Sequence, residues 1–311
     1  MTPGYTLGAL GVSVFFSLSG YLVYQSILRD SDVWRFLARR ALRIFPGLVV
    51  MLLFTVLLLG PLVTILSAKD YFSRHETWEY LWKIKLWGDD RLPGVFNENH
   101  YPHSVNSSLW TLKWEWVMYC LLALLALVNN SRWNLILAFA VAAIIPMALA
   151  TDDRALGLPL PFIGHLASSQ NPFPLGAFFF IGAVLSSTRV FKKLYMSKAP
   201  IFLIGATGVF FGSFSQIFCE IALFAVIPLL VVSIGESTIS QRIGLEVRHD
   251  ISYGLYIYAF PVQQAIINFI PEIAWWGLVM TSIPTTTFLA FISWTFVESP
   301  ALRFKKYISK I

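Results

Sequence analysis

The sequence predicts an all-α polytopic membrane bundle of about nine transmembrane helices, and three observations predict it. Hydrophobic residues fill 57% of the 311 positions and charged residues only 13%, against about a quarter charged in ordinary soluble domains. Apolar runs of about 20 residues, the length that crosses a bilayer, recur from one end of the chain to the other. Aromatic residues reach 16%, with 11 Trp, as expected where indole rings settle at membrane interfaces. A single membrane domain over 1–311, with no appended soluble domain, accounts for the pattern.

The runs fall at 11–28, 45–67, 108–128, 133–150, 172–187, 200–215, 216–234, 251–270 and 275–297. Gly212, Ser213, Phe214, Ser215 and Gln216 form the turn dividing the sixth run from the seventh. Charge supports that division. With the segment after the first run in the cytoplasm, nine spans leave 16 of the 23 Lys and Arg on the inner side. Fusing the two runs would carry Arg242, Arg248, Arg303, Lys305, Lys306 and Lys310 across and reverse the positive-inside bias. The net charge of +6 thus follows membrane topology, and no nucleic-acid partner is expected. In this topology Met1 is outside, and neither a basic n-region nor an Ala-x-Ala cleavage site precedes the first run. The largest stretch between runs, 68–107, also faces outward and carries Trp78, Trp82, Trp87, His75, His100, His103, Asp89 and Asp90. Cys120 and Cys219 lie in separate apolar runs without a CxxC or His-rich neighbourhood, so they read as packing residues, and no metal site is expected.

Four groups of residues could carry chemistry. In the cytoplasmic loop between the first two runs, Arg39 and Arg43 share a helix face at i and i+4, with Arg40 adjacent. Guanidinium forks on one face suit a polyphosphate such as that of coenzyme A; a topogenic positive cluster at a membrane border is the plainer alternative. Near the outer start of the third run, Lys113 and Glu115 place ionisable groups inside an apolar helix, at about 2.5–3.5 kcal/mol each on insertion scales. Glu115 lies about 10 Å down that helix, deep enough to face a buried cavity, while Lys113 can snorkel outward. The structural alternative for Glu115 is a hydrogen bond to another span. Glu220 sits close to the 212–216 turn and reads as interfacial. The tyrosines at 253, 256 and 258 fit ordinary interfacial anchoring. In the last run, Pro300 is expected to end the helix and Glu298 to pair with a neighbouring cation.

Taken in order, five segments resemble the acyltransferase-3 family of integral-membrane acyltransferases, which O-acylate surface glycans. They are Gly11 to Gly20 with Phe15-Phe16 and Ser17-Leu18-Ser19; Arg39-Arg40-Ala41-Leu42-Arg43-Ile44-Phe45-Pro46; Trp110-Thr111-Leu112 followed by Glu115 and Tyr119; Ser252-Tyr253-Gly254-Leu255-Tyr256 through Pro261; and Phe296-Val297-Glu298-Ser299-Pro300. The resemblance runs from about residue 8 to residue 306. It implies acyl transfer, acetyl above all, from acyl-coenzyme A on the cytoplasmic side to a hydroxyl of a polysaccharide or lipid-linked glycan on the other, in a bacterial inner membrane. It implies no permanently bound cofactor. It assigns Arg39, Arg40 and Arg43 to the coenzyme A phosphates, and Glu115, Trp110 and Tyr119 to the catalytic set, Glu115 orienting and charging a catalytic His that takes the acceptor proton.

The resemblance further implies a tenth span ahead of Phe15-Phe16, bearing that His about ten residues after an Arg or Lys. No counterpart of it occurs here, and many relatives carry His where this sequence has Ala259. The expectation is a start lying upstream, or a shortened copy. His75, His100, His103, His165 and His249 read as ordinary loop residues. Two other classes fit the same composition: a secondary transporter, which would show inverted repeats and matched broken helices not seen here, and a non-catalytic membrane partner in glycan assembly.

Overall fold

The computed structural model describes residues 7–29, 32–128, 173–187, 216–236 and 249–305. Among these residues it is all-helical, with one isolated bridge between Thr64 and Val95. Helix α1 spans Leu7–Arg29 and α2 spans Val33–Phe54, continuing through a wide π turn at Thr55–Leu59 to Val63. Two short helices follow, α3 (Ala68–Ser73) and α4 (His75–Glu79). The remaining elements are α5 (Trp110–Val128), α6 (Phe173–Ser187), α7 (Gln216–Gly235), α8 (Ser252–Phe269), α9 (Trp275–Ser293) and α10 (Ser299–Arg303), the last two joined by a π turn at Trp294–Glu298. Four of the helical stretches are long and apolar enough to cross a membrane: Gly8–Arg29, Val33–Val63, Ser107–Leu127 and Trp275–Arg303. Seven of the nine apolar runs fall on described helices, and 133–150 and 200–215 lie outside the described residues.

Two expectations are corrected. The segment holding Arg35 to Arg43 is not a loop but the first half of α2, continuous with a membrane-length helix. Nor does Pro300 end the last helix, which runs on to Arg303. Proline blocks a helix when its ring meets the carbonyl of residue i−4 and its missing N–H breaks the ladder. Here it follows the π turn, on the first turn of α10, where the ladder has already shifted to i→i+5 bonding and a proline is tolerated.

The chain divides into two compact units, Met1–Phe36 with Trp114–Glu246, and Leu37–Lys113 with Val247–Ile311. In the first, α1 and α6 approach until their backbones touch: a Cβ on Gly20 would collide with the carbonyl of Phe179, and one on Gly182 with the carbonyl of Ser17. Lipid supplies no hydrophobic drive between helices, so close contact through small residues is how such surfaces gain packing energy. Tyr21, Leu185, Leu229 and Val232 extend the contact to α7.

In the second unit polar side chains bind the segment around residues 90–106 to α8. Gln264, only 2% exposed, donates to the carbonyls of Tyr101 and Ser104 at 2.8 and 2.7 Å. Asn99 donates to the Gln264 carbonyl at 2.8 Å, and Asn106 to the Ile257 carbonyl at 2.8 Å. Asp90 gathers Lys83 Nζ (2.6 Å), Ser104 Oγ (2.5 Å) and the Asn106 amide (2.9 Å). A segment without regular structure must place its polar groups somewhere, and here buried amides and one carboxylate receive them.

Candidate active site

Glu115 and Tyr119 stand four residues apart on α5 and therefore share a face. Glu115 is 4% exposed and Tyr119 3%. The Tyr119 hydroxyl donates a short hydrogen bond to Glu115 Oε1, and Ser19 Oγ of α1 lies 3.1 Å from the same hydroxyl. The Tyr119 ring rests 6.1 Å from that of fully buried Phe179. One carboxylate, one phenol and one alcohol thus form a line inside an apolar unit, all held on two helices. A phenol donating to a carboxylate makes a strong bond in such surroundings, and the line can fix the carboxylate or pass a proton along it. Ser19 had no assigned role in the sequence; its signal was its place in the Gly11 to Gly20 segment, one residue before Gly20, where α1 and α6 touch.

The predicted catalytic set is divided. Glu115 and Tyr119 are bonded to each other, whereas Trp110 is half-buried on the first turn of α5 and belongs to the second unit. Within that unit the neighbouring Thr111 hydroxyl bonds the Tyr256 hydroxyl, which also donates to the Ser108 carbonyl at 2.5 Å. Tyr253 is buried too and donates to the Ile44 carbonyl at 2.8 Å. These tyrosines are internal ties, not the interfacial anchors their positions suggested.

Arg39, Arg40 and Arg43 lie half-buried along one stretch of α2. Arg43 is the most tightly engaged: Nη2 donates to Asp250 Oδ2 at 2.8 Å and approaches Ser252 Oγ at 3.4 Å, while Nη1 is 3.6 Å from Glu298 Oε2. The guanidinium also lies 5.8 and 5.9 Å from the rings of Tyr253 and Trp294, close enough for cation–π attraction. Gly47 makes room for this arrangement, since a Cβ there would stand 2.8 Å from Cε1 of Tyr253. Glu298 is 1% exposed and accepts from Ser293 Oγ at 3.0 Å. Its expected pairing with a cation is present. Burial tends to raise the Asp250 carboxyl, but its bonds to Ser252 and the charge of Arg43 outweigh this and hold it below the usual carboxylate value.

Lys305 lies half-buried just past α10, and no sequence motif marked it. Burial, then the charges of Arg40, Arg43 and Arg39, push its ammonium down to about 8, against a smaller opposing pull from Asp250. Guanidinium groups on one helix face have the chemistry to hold an anion of several charges.

No histidine is among the partners named for either group. His75, His100, His103 and His249 are exposed; His75 pairs with Glu79 at 3.1 Å, His103 lies 3.2 Å from Asn97 Oδ1, and His249 stacks near Phe291. His165 and the side chains of Cys219 and Glu220 lie outside the described residues. Among the described residues no His, Cys, Asp or Glu group of three could hold a metal ion.

The described residues thus combine helices of membrane-crossing length, a buried carboxylate–phenol pair and an arginine-bearing helix. The comparisons are specific: the model of an acyltransferase domain matches residues 1–297, and the chain belongs to the acyltransferase-3 family. It is 30% identical over 302 residues to an O-acetyl transferase of Shigella phage Sf6, covering 94% of this chain and 84% of that one. It is 28% identical over 321 residues to nodulation protein 10 of Rhizobium leguminosarum bv. viciae, covering 96% and 83%. No solved structure matches it.

Proposed function

We propose that this chain transfers an acyl group, acetyl above all, from acyl-coenzyme A to a hydroxyl of a cell-surface or exported polysaccharide or glycolipid, from within a bacterial inner membrane. The observation that carries this reading is the buried carboxylate Glu115, bonded to Tyr119, inside a chain of an acyltransferase family. The O-acetyl transferase name of the phage relative supports an oxygen acceptor. The arginine face of α2 supports a phosphate-bearing donor on the cytoplasmic side.

In this reading the acceptor oxygen attacks the thioester carbonyl, its proton passes to a base, and the tetrahedral intermediate collapses as the carbon–sulfur bond breaks and the coenzyme A thiolate leaves. Glu115 orients and charges that base, Tyr119 and Ser19 hold Glu115 in place, and Arg39, Arg40 and Arg43 bind donor phosphates. Trp110 contributes at the outer end of α5. The two units act as one acyltransferase domain of nine spans, supported by seven apolar runs on described helices and by the positive-inside count.

Labelled acetyl-coenzyme A supplied to membranes containing the chain tests the proposal. Label entering a saccharide or glycolipid fraction, and lost in Glu115→Gln, is the expected result. Transfer at the wild-type rate in that variant would remove Glu115 from the mechanism, and no transfer by the wild-type chain would remove the reaction.

A further inference from the structure

Resting on the reading of Glu115 above, we propose that Phe179 sets the length of the transferred acyl group and confines it to acetyl. The starting point is the place where α1, α5 and α6 meet. Glu115 and Tyr119 come from α5 and Ser19 from α1, and α6 closes the line from a third side: the ring of Phe179 lies 6.1 Å from that of Tyr119, tilted by 53°. The polar line keeps a trace of accessible surface, 8% on Ser19, 4% on Glu115 and 3% on Tyr119, whereas Phe179 has none. A side chain with no accessible area has no gap beside it as wide as a water molecule, and an acyl methylene is no smaller. Accessible space therefore ends between Tyr119 and the Phe179 ring.

The helix that carries this ring has no slack. The Phe179 carbonyl lies against Gly20, and three residues further on Gly182 lies against the Ser17 carbonyl, both at distances that leave no room for a Cβ. These two contacts hold α6 on α1 backbone to backbone, on either side of the position that carries the ring. Close-packed surfaces of this kind do not yield by small amounts. The ring itself is met edge-on by Phe180, with centroids 5.4 Å apart. In the reaction described above, the thioester carbonyl stands beside the group that Glu115 orients, and the acyl tail is the apolar part of the donor's reacting end. Against an aromatic wall an acetyl methyl group fits, whereas each further methylene needs volume that the ring fills. For every chain length the acceptor oxygen bonds the carbonyl carbon and the carbon–sulfur bond breaks, so the wall selects the donor and leaves the chemistry unchanged.

The experiment supplies labelled acetyl-coenzyme A or butyryl-coenzyme A to membranes containing the full chain and reads the ratio of butyryl to acetyl transfer into saccharide and glycolipid. The wild-type chain should favour acetyl by about tenfold or more, the scale on which a pocket discriminates by methylenes. Phe179→Ala should raise the butyryl-to-acetyl ratio by about 100-fold, and Phe179→Leu, which keeps an apolar side chain in the packing, by about tenfold. Leu185→Ala serves as the control: it removes a buried side chain from the same helix, where Leu185 packs with Tyr21, Leu229 and Val232, and should leave the ratio at its wild-type value. Should the alanine variant fail to fold, the leucine variant decides. An unchanged ratio in the folded Phe179 variants would overturn the role of Phe179 while leaving the reaction intact. So would a ratio that rises equally in Leu185→Ala, a wild-type chain that uses butyryl as readily as acetyl, or loss of transfer from both donors in a folded Phe179→Leu chain, since lowering a wall does not stop the reaction. No transfer from either donor by the wild-type chain would instead remove the acyl transfer reading itself, and the role of Phe179 with it.

Discussion

Glu115 and Glu298 are both glutamates within membrane-length helical stretches, both almost wholly buried, and they have partners of different kinds. Glu298 sits within reach of a cation, Arg43, and accepts from Ser293; its charge is matched, and it ties the last helix to α2. Glu115 accepts from a phenol whose oxygen also contacts Ser19. A hydroxyl partner orients a carboxylate, as the role proposed for Glu115 requires. Burial alone does not distinguish such a carboxylate from one that ties two helices together.

The sharpest break in this contrast comes from Glu115→Gln, which should lower acyl transfer by about 10²–10⁴ fold, the range of a lost acid–base contribution, with the chain still folded in membranes. Next, Arg39→Ala combined with Arg43→Ala should weaken coenzyme A binding by about 100-fold, as two charge-assisted contacts are lost, measured by calorimetry on purified protein. Glu298→Gln should lower unfolding stability by about 2 kcal/mol in a detergent melt, with transfer per folded molecule close to wild type. Tyr119→Phe keeps the ring on Phe179 but removes the donor to Glu115, and should cost about tenfold in transfer rate. The smallest effect belongs to Asp250→Asn. The Asp250 carboxyl is held low when folded, so its stabilising effect is present above the ordinary carboxylate value and lost as pH falls through the folded one. For a pair this exposed the loss is under about 1 kcal/mol, read as a flatter acid limb of the thermal midpoint against pH.

The bundle was largely legible in the sequence because apolar length is a local property: α1, α5, α8 and α9 each lie where an apolar run lies. The helical face of Arg39 and Arg43 was legible for the same reason, since i and i+4 spacing needs no knowledge of the rest of the chain. Gln264 and Asn106 were not. Their meaning comes from partners more than 150 residues away, and an amide in an apolar helix shows no sign of whether it anchors a segment or faces a cavity. Pro300 misled because a rule for α-helices was applied where a π turn had changed the ladder.

That turn has a consequence for how the protein tolerates change. In an α-helix residues five apart point about 140° away from each other, so Ser293 and Glu298 could not bond; the wider turn at Trp294–Glu298 brings them together. The wide turn thus absorbs one residue and keeps Glu298 aimed at Arg43. Deleting a single residue between 294 and 297 would restore a plain helix in which that glutamate stands four residues after Ser293, about 40° round and on the same face. Among variants of this protein, loss of one residue from that short interval should therefore leave the glutamate within reach of Arg43.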